Sequence, residues 1–176
     1  MSNKKHYIIT SITLGAIAAV SAGLVGLTNL ITSGQIKKNE QNKILSGISE
    51  IFGKTATISQ EFEIKDQKYT TYAYQINNEE NTLNAYAFKT TGSNMYGKIS
   101  LIIGFVNSNN VATFEGLSIV VNEQTYATTL VENYINPIND GSRELDDVSC
   151  GATYGAKLVR DMVNESKLVA EGLFGE

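Results

Sequence analysis

GKISLIIGFVNSNNVATFEGLSIVV, residues 97–121, holds two runs of β-branched and aromatic residues separated by NSNN (107–110), a tetrapeptide with turn chemistry. It reads as two consecutive strands. Working toward the N-terminus, TATISQEFEI (55–64), KYTTYAYQI (68–76) and TLNAYAFKTT (82–91) have the same texture. Their connectors, INNEEN (76–81) and TTGSNMYG (90–97), are again turn-prone. Five strands with short connections predict a meander and therefore a mainly antiparallel sheet. Tyr72 and Tyr74 share one face of their strand, and Tyr86 and Phe88 share one face of theirs. The expectation is that these aromatics wall one side of the core.

Toward the C-terminus, Leu130, Val131 and Tyr134 fit a short helix that stops before Pro137, because the residue preceding a proline is pushed out of the helical region. The polar loop NDGSRELDD (139–147) follows. Ala156, Leu158, Val159, Met162 and Val163 then recur at the spacing of an amphipathic helix. The whole predicts an α+β fold.

The N-terminus differs in character. Tyr7 to Ile36 contains no charged residue, and a helix needs about 20 residues to cross the hydrocarbon of a bilayer. The run is read as a single transmembrane helix. Its Ser and Thr hydroxyls can bond back to helical carbonyls, and its cluster of small residues from Gly15 to Gly23 suits close helix packing. Lys4 and Lys5 precede the span and Lys37, Lys38 and Lys43 follow it, so the positive-inside rule leaves orientation open. Ile36, Ile44, Leu45, Ile48, Ile51 and Phe52 continue at helical spacing, with Gly53 as the stop. Three segments result: an N-terminal tail and anchor over 1–36, a juxtamembrane helix over 37–53, and a globular domain over 54–176.

Composition removes several function classes. The formal net charge is −4, which gives no electrostatic footprint for nucleic acid. There is one His, His6, and one Cys, Cys150. His6 precedes the apolar run, so no imidazole stands near a nucleophile and no zinc ligand set can form. The usual nucleotide-binding glycine motifs are missing. Neither catalytic nor metal-ligating residues are expected.

The chemistry concentrates in Asp147-Val148-Ser149-Cys150-Gly151-Ala152-Thr153. An acidic residue leads a turn of small residues, and a hydroxyl stands where the amphipathic helix begins. The first N–H groups of a helix lack internal partners, and the dipole adds partial positive charge there. Phosphate is stabilised at such a place. Gly151 and Ala152 leave room for a phosphate ester to approach the backbone. A Thr at this position, taken alone, reads as an ordinary N-cap. Cys150 reads as a small, half-buried side chain, and Glu144, Asp146 and Asp147 as a solvated loop with Asp147 capping the turn.

This D-x-x-[ST]-G-A-T pattern resembles the covalent flavin-attachment sequence of the FMN-binding domain family. That family includes the G subunit of Rnf electron-transport complexes and the C subunit of the sodium-translocating NADH:quinone reductase. Further likeness lies in the N-terminal span, in Asn29–Ile36, in Asn39-Glu40, in Tyr96-Gly97 and in Glu123-Gln124-Thr125. The resemblance implies FMN joined through its phosphate to Thr153 by a separate flavin transferase. It aligns Asp147 with the motif's acidic residue, Ser149 and Cys150 with the turn, and Gly151 and Ala152 with the small pair. Tyr96, Thr125 and Thr128 become expected contacts of the ring or ribityl chain. It further implies a single-pass protein of the cell membrane whose domain lies on the extracytoplasmic side and relays electrons with other subunits or redox partners. The sequence departs from the pattern at Cys150, where Ser or Thr is usual. Tyr154-Gly155 replaces a polar pair, and EQTYAT (123–128) stands in place of E-T-P-G.

Other readings are a sensor or binding module of the same fold without covalent flavin, and a pilin-like structural subunit. The second lacks the early Glu of pilin helices. A hydrolase fails for want of a nucleophile–base pair.

Overall fold

The computed structural model describes residues 13–15, 17–22, 38–77, 84–109 and 111–175. The chain divides into two compact units, Met1–Asn42 and Lys43–Glu176. In the first unit, residues 13–15, 17–22 and 38–42 are helical. Among the described residues no helix is long and apolar enough to cross a membrane. Most of the apolar run 7–36, and with it the expected anchor, lies outside them.

The second unit opens with a helix, α1 (43–52), which ends at Gly53. Gly53 has φ +91° and donates its N–H to the Ser49 carbonyl at 3.0 Å, the left-handed helix end that glycine adopts without steric cost. Five strands follow: β1 (Thr57–Glu63), β2 (Thr70–Asn77), β3 (Ala85–Asn94), β4 (Gly97–Ser108) and β5 (Val111–Asn122). They form one sheet in the order β1-β2-β3-β4-β5, antiparallel throughout. The α+β class and the antiparallel meander predicted from the strand texture are the architecture found.

Both faces of the sheet are covered. Side chains alternate along a strand, so Ile99, Leu101, Ile103 and Phe105 enter one core cluster while Ile102 enters the other. This double burial explains the near-continuous apolar run of β4. On the second face α1 contributes Ile44 and Ile48. A Cβ on Gly104 would lie 2.6 Å from Ile51 Cγ2, so the missing side chain admits the helix.

The aromatic pairs do not form one wall. Tyr86 and Phe88 lie on the first face, with the Tyr86 ring 5.3 Å from that of Phe174. Tyr72 and Tyr74 pack on the opposite face, 6.4 Å apart. The register gives the reason: Tyr74 is paired with Ala87 and Phe88 with Ala73. Each large ring faces an alanine, so the bulk of the two strands falls on different sides.

After β5 the chain runs helically through α2 (Ala127–Leu130), a π-type turn (Val131–Ile135) and α3 (Asn136–Asn139). The expected stop before Pro137 does not occur. The proline occupies the first turn of α3, where its missing N–H removes no needed bond, and the π-type turn precedes it. The long helix α4 (Thr153–Phe174) closes the first core with Ala156, Val159, Met162, Val163 and Ala170. Leu158 and Met162 pack over Gly92 of β3. The Glu165 carboxylate accepts N–H bonds from Lys68, Tyr69 and Thr70 at 3.0, 2.8 and 2.7 Å, tying the start of β2 to the helix.

Candidate functional site

The loop before α4 is organised by Asp147. Its carboxylate accepts the Ser149 N–H at 3.2 Å and stands 2.9 Å from Arg143 Nη1. Arg143 also donates to the Asp147 carbonyl at 2.9 Å. The capping role expected of Asp147 is the one it has. Cys150 turns inward and is buried, more fully than its expected half-burial. Gly151 then takes φ +83°, a left-handed conformation that favours glycine. A Cβ there would meet Thr129 Cγ2 at 3.3 Å.

The N-cap of α4 is Ala152, and no side chain caps the helix. Thr153 is therefore the first helical residue rather than the cap. Its hydroxyl is not used to satisfy the helix end, and the first-turn N–H groups of a 22-residue helix have neither intrahelical nor side-chain partners. This end opens into a cavity of about 280 Å³. Gly151, Ala152, Thr153, Tyr154 and Gly155 line one side, and Tyr96, Gln124, Tyr126 and Leu130 line the other.

The opposite wall is built by the β3–β4 turn. Asn94 pairs with Gly97, so Met95 and Tyr96 are the two turn residues. Gly97 has φ +130°, and a Cβ there would lie 2.1 Å from the Glu123 carbonyl oxygen. Gln124, only 6 % exposed, donates from Nε2 to the Gly97 carbonyl. The Tyr96 carbonyl accepts the Thr125 N–H at 2.8 Å and its hydroxyl at 3.1 Å. Asn94 Nδ2 reaches the Tyr154 carbonyl at 3.1 Å. Three segments distant in sequence are thus bonded to one another around the cavity.

The structure brings Thr153, Ala152, Gly151 and Tyr96 together. Ser149 and Cys150 line a neighbouring groove with Arg143 and Asn133 instead. Asp147 shapes the loop. Thr125 holds Tyr96 through its backbone, and Thr128 is an exposed residue of α2 outside the lining. Sequence reasoning missed Gln124, Tyr126 and Tyr154 as lining residues. The signal for the two tyrosines was present: each is the aromatic member of a segment that departs from the family pattern. Among the described residues no group of three His, Cys, Asp or Glu side chains is placed to hold a metal ion.

As chemistry, the cavity offers unpaired helix N–H donors, a free hydroxyl beside them and aromatic surface at its mouth. It suits a phosphate ester that carries a planar ring.

Comparison with known proteins bears on the other end of the chain. Residues 1–51 match the family model described as the RnfG N-terminal region. No curated protein and no solved structure matches the chain. The resemblance to the G subunit of Rnf electron-transport complexes is therefore supported over those residues.

Proposed function

We propose that this chain is a membrane-anchored flavoprotein that carries FMN as a phosphoester on Thr153 and relays electrons as a G-type subunit of an Rnf-like complex. The single observation that carries the flavin reading is the position of Thr153. Its hydroxyl stands free at the uncapped start of a long helix, inside an aromatic-lined cavity. The match of residues 1–51 supports the complex, its other subunits as partners and a membrane-associated setting; the extracytoplasmic side of the domain is part of the proposal.

The residues fit the group. The first-turn N–H groups and the helix dipole favour phosphate beside Thr153. Gly151 and Ala152 keep that approach clear of side chains. Lys157 follows Thr153 by one helical turn, on the same face, with its ammonium over the Tyr154 ring at 6.0 Å from the centroid. Bound FMN supplies the electron transfer. The protein's part is to hold it: a phosphate tethered at Oγ1 cannot dissociate, and the tether sets a high local concentration of the ring. Forming the ester requires that Thr153 lose its hydroxyl proton as the Oγ1–P bond forms and a phosphoanhydride P–O bond breaks, as when the donor is a flavin dinucleotide that releases a nucleoside monophosphate. Among the described residues that line the cavity there is no His, Lys or carboxylate; in this reading a separate flavin transferase supplies the step.

The test is the intact mass of protein co-expressed with a flavin transferase, beside Thr153→Ala. The expected result is a gain equal to FMN less one water in the wild type and no gain in the variant. If neither gains mass while a control substrate does, covalent attachment is wrong, and the cavity belongs to a binding or sensor module of the same fold.

A further inference from the structure

Tyr126 and Tyr154 are 52 % and 58 % exposed, and both line the cavity. Both rest on Tyr96. Its ring centroid lies 5.8 Å from that of Tyr126 and 5.4 Å from that of Tyr154, at interplanar angles of 57° and 41°. Those separations are contact distances for aromatic pairs. No planar ligand fits between Tyr96 and either neighbour, so a ligand would take the faces of Tyr126 and Tyr154 turned from Tyr96; the Lys157 ammonium lies over the Tyr154 ring, 6.0 Å from its centroid, on a flexible side chain that can give way.

The rings are held from three elements. Tyr96 sits in the β3–β4 turn, Tyr126 precedes α2, and Tyr154 lies in the first turn of α4. The Thr125 bonds to the Tyr96 carbonyl and the Asn94 bond to the Tyr154 carbonyl fix their backbones relative to one another. Such a set is pre-organised, so little ordering cost remains when a ring settles on it.

We infer that Tyr126 and Tyr154, buttressed by Tyr96, form an aromatic cradle that stacks the isoalloxazine ring of the flavin held at Thr153. This rests on the flavin reading and adds the residues that position the ring. Neighbouring tyrosines quench flavin emission by donating an electron to the excited ring and recovering it as the ring relaxes, so there is no net chemistry. Stacking also fixes the ring in a chiral setting, which produces visible circular dichroism.

The experiment uses the full chain, flavin-loaded by co-expression with the transferase, and reads emission and visible circular dichroism per attached flavin. Flavin content comes from intact mass. Wild type is expected to emit weakly. Tyr126→Leu with Tyr154→Leu is expected to raise emission severalfold and to flatten the dichroism. Tyr126→Leu alone, removed from Thr153 in sequence, gives a partial rise even where the change at Tyr154 hampers loading. Loaded wild type and loaded Tyr126→Leu with the same emission and dichroism would overturn the cradle while leaving attachment intact. Wild type that gains no flavin mass would overturn the flavin reading and the cradle with it.

Discussion

Gly97 meets two demands at once: a positive φ that other residues adopt only with strain, and a backbone oxygen of Glu123 where a side chain would begin. Strain and overlap together make Gly97→Ala cost about 3 kcal/mol, read as a lower midpoint in urea denaturation. Because the turn carries Tyr96, the same change should loosen the cavity wall. Tyr134 is a second single-residue test. It is buried and donates its hydroxyl to the Leu145 carbonyl, and burial pushes its phenol above the ordinary value of 10.0. A raised folded value means that folding favours the neutral phenol. Its contribution is whole below pH 10 and is lost as pH rises toward the folded value. Tyr134→Phe should lower stability by about 1 kcal/mol at neutral pH through the lost bond. It should also make the decline of the urea midpoint above pH 10 shallower than in wild type; an unchanged slope would contradict this. Legibility at this scale was uneven. The turn of Gly151, Ala152 and Thr153 could be read because small residues before a helix have a direct physical meaning. Gln124 could not, because it reaches the cavity only through the pairing of the Tyr96 and Thr125 backbones, which no local pattern announces.

At the scale of elements, two side chains substitute for missing backbone partners. Glu165 of α4 satisfies three N–H groups at the entrance of β2. Glu165→Ala should cost about 3 kcal/mol, since these are hydrogen bonds to an acceptor that carries charge. Amide exchange at Lys68, Tyr69 and Thr70 should speed up, and Glu165→Gln, which keeps one oxygen acceptor, should lose less. Asn139 pairs with the outer edge of β5: its amide accepts the Leu117 N–H and donates to the Leu117 carbonyl, both at 2.8 Å. An unpaired edge is a template for another chain. Asn139→Ala should therefore cost about 2 kcal/mol and increase self-association in light scattering; a variant as monodisperse as wild type would refute the edge-guarding role. The strands and α4 were legible because period and turn chemistry are local. The passage of the helix through Pro137 was not, because it depends on a π-type turn placing the proline where its N–H is dispensable. The faces taken by Tyr74 and Phe88 were not either, because register settles them.

For the whole molecule, the question is where the folded unit begins. Both core clusters are built from residues of Lys43–Glu176, which predicts that a chain starting at Lys43 folds without the N-terminal 42 residues. A chain starting at Lys54 should behave differently. It would lack α1, and with it Ile44 and Ile48, which are buried against Tyr74, Ile76, Ile102 and Val120. It would also lose Ile51 and Phe52, which lie over Gly104. Each large side chain so removed forfeits about 2 kcal/mol of burial, and the sum is comparable with the whole stability of an ordinary domain, about 5–15 kcal/mol. The sheet face left behind would be an apolar patch of the kind that drives aggregation. The expected outcome is a sharp, reversible thermal transition for 43–176 and a precipitating or molten 54–176, compared by circular dichroism and analytical ultracentrifugation. Equal behaviour of the two would mean that α1 belongs functionally to the N-terminal unit and only rests on the sheet. A difference would place the start of the folded domain at or before α1, so that the helix is an integral wall of the second core.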